Sequence, residues 1–89
     1  MKELIKLRKE IDEIDHKIIE LLAERTIVVY KISRHKSRNN MLVVDEGREK
    51  EILVKINKYA EDYNLSSEFV NNLYKSIIEY CRGIQRIRN

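Results

Sequence analysis

The sequence predicts an all-α fold of three helices, the first far longer than the others, and three observations carry that reading. Its 89 residues contain no proline and only two glycines, Gly47 and Gly83, so the punctuation of a turn-rich sheet protein is missing. Charged residues make up 37% of the chain, against roughly 25% in ordinary globular domains, an excess suited to long helices with solvated faces. Apolar residues also recur at alternating steps of three and four from Leu4 onward, the spacing of a helical stripe.

That stripe reads Leu4, Arg8, Ile11, Asp15, Ile18, Leu22, Arg25, Val29, Ile32, Lys36, broadened by Ile14, Leu21 and Val28. Nothing interrupts it before Asn39-Asn40, a plausible turn, so the first helix should span about 2–37. A second helix is expected over about 45–63: Asp45 can cap it, and Ile52, Leu53, Ile56, Tyr59 and Ala60 form its inner face. Asn64-Leu65-Ser66 breaks the pattern. Ser66 then suits the N-cap of a third helix over about 67–87, with Glu68 favouring the dipole and Leu65 able to staple against Val70. Its inner face is Val70, Leu73, Tyr74, Ile77, Ile78, Cys81 and Ile84. No repeat, low-complexity stretch or linker divides residues 1–89, which read as a single domain.

Length then makes an argument about assembly. At 1.5 Å per residue the first helix is roughly 50 Å long, whereas a compact chain of this size is about 30 Å across. One subunit cannot cover that rod. Its stripe is expected to pack against a second copy, most simply in a two-fold antiparallel pairing, giving a homodimer.

Composition removes several classes of function. The net charge is +3 with the signs interspersed, which favours anionic partners without demanding nucleic acid. The single cysteine, Cys81, rules out an intramolecular disulfide and most cysteine metal sites. No apolar run approaches the ~18 residues of a membrane span, and the charged, periodic segment from Met1 to Glu10 does not read as a signal peptide. The expectation is a chain in a reducing cytoplasm, with no membrane or nucleic-acid partner and no metal or cofactor.

The interruptions of the stripe carry the chemistry. Arg8, Asp15, Arg25 and Lys36 occupy seam positions that ordinarily hold leucine or isoleucine. A buried unpaired charge is very costly, so each needs a partner or an anionic ligand; register-setting salt bridges are the bland alternative. Arg25 and Lys36 lie eleven residues apart on one face, ~16 Å along the axis, and can lean together over a small ligand. Arg8 is ~25 Å from Arg25 and cannot join them within one chain. In an antiparallel pair, the partner's Arg8 can. Near the start of the second helix, Arg48 and Glu49 flank the inner face, with a solvated helix start as the alternative. On the third helix, Cys81 and Gln85 extend the apolar face, Gln85 as a neutral donor and Cys81 otherwise as small core filler. His16 and His35 each stand alone and read as solvated.

These residues together resemble the all-helical (AroQ-type) chorismate mutase family. The string Leu7-Arg8, Ile11-Asp12, Ile14-Asp15, Ile18, Leu21-Leu22, Arg25 is similar to that family's opening signature. Lys36, the segment Asp45-Glu46-Gly47-Arg48-Glu49, and the stretch from Ile77-Ile78-Glu79 to Gln85 follow in its order and spacing. The resemblance covers essentially the whole chain. It implies a domain-swapped dimer of interleaved helices that rearranges chorismate to prephenate in aromatic amino acid biosynthesis, without metal, cofactor or covalent intermediate. Arg8 of one subunit and Arg25 of the other would each hold a substrate carboxylate, Lys36 and Gln85 would address the ether oxygen, and Glu49 would accept from the ring hydroxyl. Asp45 would contribute beside Glu49, with Arg48 and Cys81 as further contacts; Cys81 stands where the family often has serine. Asp15 would be a structural seam acid, neutralised by a cation or backbone amide.

Two other readings stay open at this point. An isochorismate pyruvate lyase resembles the same family and uses similar cations, although Glu49 suits the chorismate hydroxyl. A helical interaction module, or a nucleic-acid binder using Arg82, Arg86 and Arg88 with the Arg34 to Arg38 cluster, would need its cations on an exposed face and an affinity that falls steeply with salt.

Overall fold

The computed structural model describes residues 1–39 and 44–88, with side chains through Gln85. It holds three helices: α1 (Lys2–Arg38), α2 (Glu46–Asp62) and α3 (Ser67–Arg88). There is no strand among the described residues, so the all-α class is as expected. Among the described residues, no helix is long and apolar enough to cross a membrane.

The ends of the helices follow local chemistry. Asn39 closes α1: its backbone N–H donates to the carbonyls of His35 and Lys36, and its side-chain amide reaches the His35 carbonyl at 2.8 Å. Asn40, expected to share that turn, lies outside the described residues. Asp45 caps α2, accepting from the Arg48 amide at 3.0 Å. Ser66 caps α3 by accepting from the Phe69 amide at 3.2 Å. Between them the chain reverses at Asn64, which adopts φ 56°, a left-handed conformation that asparagine tolerates better than most residues. The amide of Asn64 donates to Glu61 and that of Leu65 to Ala60 at 2.8 Å, the paired closure that satisfies the last carbonyls of a helix ending in such a residue.

α3 is the hub. Packing joins it to both α1 and α2, while α1 and α2 make no close backbone approach to each other among the described residues. The buried apolar side chains fall into two separate clusters. Val29, Cys81 and Ile84, with Tyr30 and Ile77 against them, join α1 to α3. Ile56, Ala60 and Val70, with Ile52 and Tyr74, join α2 to α3. Ala60 is 1% exposed, small enough to let the two helices meet closely. A reciprocal amide pair fixes their register: Asn57 donates to Asn71 at 3.2 Å and Asn71 donates back at 2.8 Å. Tyr59 and Leu73, expected inside, are exposed, because each lies at the margin of its helix's inner face. Ser33, one turn beyond Val29, is fully buried, and its hydroxyl has no hydrogen-bond partner among the described residues.

The remainder of α1 is uncovered. The molecule measures 57 Å along its longest axis and 24 and 16 Å across the others. Every residue of 2–24 is exposed, and the stripe goes with them: Ile11 is 57% exposed and Ile18 50%. Asp15 and Arg8 lie on the same uncovered stretch, and Asp15 has no ion-pair partner within the protomer among the described residues. Leu4, Leu7, Ile11, Ile14, Ile18 and Leu21 on one rod form an apolar surface well beyond the isolated exposed residues of an ordinary monomer.

Candidate active site

Where α1, the start of α2 and the last turns of α3 converge, they form a half-open cavity of about 230 Å³. α1 contributes Arg25, Val28, Val29, Ile32 and Lys36 at the three-and-four spacing of one face. Asp45, Arg48, Glu49 and Ile52 come from the cap and first turns of α2; Ile78, Cys81, Arg82 and Gln85 come from α3. The lining mixes aliphatic side chains with charged ones. Four cations, Arg25, Lys36, Arg48 and Arg82, stand against two carboxylates, Asp45 and Glu49, so the cavity is set up for an anion.

The carboxylates are both engaged. Asp45 holds the α2 cap through one oxygen. Glu49 takes a forked pair from Arg82, whose Nε donates to Oε2 at 2.8 Å while Nη2 donates to Oε1. The Arg82 hydrogen bonds hold the Glu49 carboxyl below its ordinary range, with Lys36 adding to that, against burial and Asp45, which push it up. The same bonds raise the Arg82 guanidinium.

Arg25 is held differently, by neutral groups. Its Nη1 donates to the Cys81 thiol at 3.2 Å, and its guanidinium lies 5.8 Å from the centre of the Tyr74 ring, close enough for a cation–π attraction. No carboxylate forms an ion pair with it among the described residues. Lys36 donates from Nζ to the Gln85 amide oxygen at 3.3 Å. Arg48 reaches back to Glu51 at 3.4 Å on the outer, exposed side.

Of the residues singled out in the sequence, Arg25, Lys36, Asp45, Arg48, Glu49, Cys81 and Gln85 meet in this one cavity. Arg8 does not; it lies on the uncovered part of α1, as the helix length requires. His16 is exposed and pairs with Glu20 at 3.3 Å, and His35 is exposed. Arg82 is the residue that sequence reasoning misplaced: grouped with surface cations, it stands in the cavity wall. The signal was available, since Arg82 lies four residues after Ile78 and three before Gln85, on the face they share. The side chains of Arg86 and Arg88 lie outside the described residues.

The family model described as chorismate mutase type II matches residues 7–86. A bifunctional chorismate mutase/prephenate dehydratase of Buchnera aphidicola is 45% identical over 93% of this chain, which spans only 22% of that longer protein. The chorismate mutase of Methanocaldococcus jannaschii is 30% identical over 97% of this chain and 87% of its own length. A 4-amino-4-deoxychorismate mutase of Streptomyces venezuelae is 35% identical, over 90% of this chain and 79% of its own. No solved structure matches the chain significantly. With a match running from the first turns of α1 to the last turn of α3, the chain belongs to the chorismate mutase type II family.

Proposed function

We propose that this chain rearranges chorismate to prephenate in the cytoplasm, as a homodimer in which each of two sites is completed by Arg8 of the partner copy. The observation that carries the reading is the cavity itself: Arg25, Lys36, Glu49 and Gln85 gathered among aliphatic side chains, with positive charge in excess. The reaction is pericyclic and intramolecular, so the protein supplies no nucleophile or base. It has two tasks. It must hold a flexible dianion in its compact conformer, and it must stabilise the charge that grows on the ether oxygen as the carbon–oxygen bond stretches.

Arg25, braced by Cys81 and Tyr74, takes one carboxylate in a charge-assisted, fork-shaped pairing. The partner's Arg8 takes the other, brought in by antiparallel pairing of the uncovered α1 stripes. Cys81 serves through Arg25 and is not itself a substrate contact: its thiol is buried and already accepts from the guanidinium. Lys36 and Gln85 aim donors at the ether oxygen. Gln85 turns its amide oxygen to Lys36, which leaves its NH₂ as the group to offer the substrate. Glu49, kept ionised, accepts from the ring hydroxyl, and Asp45 and Arg48 hold that end of the cavity. The presence of Glu49 supports the mutase over a pyruvate lyase on the same scaffold. Cations gathered around one half-open cavity, not spread along a face, speak against a nucleic-acid surface.

The test is direct. The purified chain is mixed with chorismate, loss of the substrate's absorbance is followed, and prephenate is identified as the product; a bicyclic transition-state mimic should stop the reaction. Lys36→Ala should lower kcat by ~10²–10³, the usual consequence of removing one donor to a developing oxyanion, while helicity and assembly are retained. Absence of turnover in the native protein, or near-normal turnover in the Lys36 variant, refutes the assignment.

A further inference from the structure

Arg82 is a charged group of the cavity wall that the rearrangement itself does not call for. It lines the cavity beside Glu49, and its fork engages both carboxylate oxygens. On the solvent side its Nη1 is 3.8 Å from Glu79. Both partners of the fork are largely covered, Arg82 28% and Glu49 19% exposed. Surface ion pairs usually contribute little; a covered, two-point pair fixes the geometry of the acceptor as well as its charge.

We propose that Arg82 is a positioning and specificity residue: it holds Glu49 as a fixed, charge-compensated acceptor, so that the site takes a ring hydroxyl and disfavours a cationic amine at the same place. The inference rests on the reading of the cavity as a chorismate site. An ionised carboxylate offers about four lone-pair positions, and the fork occupies two, leaving acceptor capacity toward the cavity at a defined angle. A neutral hydroxyl needs only that acceptor. An ammonium would instead draw its binding from a bare negative charge, and Arg82 cancels that charge at close range, where the cavity screens poorly. Arg25, Lys36 and Arg48 on the remaining walls add to the disadvantage of a further cation. The distinction matters in this family, since the Streptomyces venezuelae relative is named for the 4-amino substrate.

The groups around Glu49 make the pH signature specific. Arg82 faces it from α3 with Glu79 beyond, Lys36 faces it from α1, and Asp45, Glu46 and Arg48 surround it at the start of α2. Without Arg82, burial and Asp45 would push the Glu49 carboxyl up against Lys36 alone.

The experiment compares native protein with Arg82→Ala and Arg82→Lys, using chorismate and 4-amino-4-deoxychorismate as substrates across pH 4 to 8. In Arg82→Ala the acidic limb of kcat/KM for chorismate should move to higher pH. The ratio of kcat/KM values should shift toward the amine by roughly tenfold or more, the scale of one charged hydrogen bond. Arg82→Lys, which keeps the charge, should restore most of the ratio. If Arg82→Ala does not fold, Arg82→Gln carries the same comparison with a neutral side chain of similar reach. A folded, dimeric neutral variant with unchanged acidic limb and unchanged ratio overturns the proposal while native turnover of chorismate stands. Native protein that converts neither compound overturns the underlying site assignment instead.

Discussion

The proposed shared site makes a quantitative prediction that a self-contained site would not. Arg8 and Arg25 are seventeen residues apart on a continuous helix, about 25 Å of rise, far beyond what two arginine side chains can bridge over one small molecule. Arg25 lines the cavity of its own protomer and Arg8 does not. In the proposed arrangement, homodimers of Arg8→Ala and of Arg25→Ala would therefore each lack one carboxylate clamp in both sites. Truncating one side of a desolvated charge pair costs about 2–5 kcal/mol, so each variant should retain no more than a few per cent of native kcat/KM. When the two variants exchange subunits in equal amounts, half of the dimers are mixed. In each mixed dimer one site regains both arginines and the other has lost both. About one quarter of all sites are then intact, and activity should climb to about a quarter of native. Differently tagged chains, with mixed dimers verified by tandem capture, make the assay a simple rate measurement. Verified mixed dimers no more active than their parents would refute the shared site, and full activity in Arg8→Ala alone would do so sooner.

Further expectations concern the frame. Asn57→Ala or Asn71→Ala alone should cost ~1–3 kcal/mol by stranding the other half-buried amide, whereas the double variant should cost less than the sum, as a denaturation double-mutant cycle will read. Asn64→Gly should leave stability within a few tenths of a kcal/mol, or raise it, while Asn64→Val should lower it by ~1–2 kcal/mol, because only the branched residue resists positive φ; thermal melts distinguish the two. Glu49 titrates below its ordinary value of 4.5 in the folded chain, so its contribution to stability is complete above that value and is lost as pH falls through the lower folded one. Glu49→Gln should accordingly flatten the decline of stability below about pH 4.5, measured by denaturant titration across that range, and an unchanged slope would mean that the Arg82 pairing is not retained in solution.

Much of this architecture is written in local pattern. The stripe of α1, the caps at Asp45 and Ser66, and the breaker at Asn64 are decided by neighbours in the sequence, and periodicity reads neighbours well. The site residues on α1 were legible for another reason: Arg25 and Lys36 stand at seam positions where burial of a charge demands a cause. Arg82 offered no such contradiction. An arginine near the end of a basic helix looks solvated until the turn at the start of α2 brings Glu49 against it, and that contact joins residues 33 apart. Ser33 escaped notice likewise, since a serine one turn from Val29 reads as tolerable on either side of a face. Its burial depends on how closely α3 approaches, which no single-helix pattern encodes.

The contrast between the two half-buried arginines shows how the proposed site would bind a dianion and still read a hydroxyl. Arg25 is braced by a thiol and an aromatic ring, groups that fix a guanidinium without neutralising it. Its charge therefore remains available to a ligand, already oriented, and little reorganisation is required when a carboxylate arrives. Arg82 is braced by a carboxylate, and in the proposed site its charge is spent on making Glu49 a stationary acceptor. Had the partners been exchanged, with a carboxylate beside Arg25 and a neutral group beside Arg82, the net charge of the wall would be unchanged. The anion clamp would be quenched, and a loose cation would sit where the ring hydroxyl must donate. The cavity's function thus depends on which cation is paired, and counting its charges cannot reveal that.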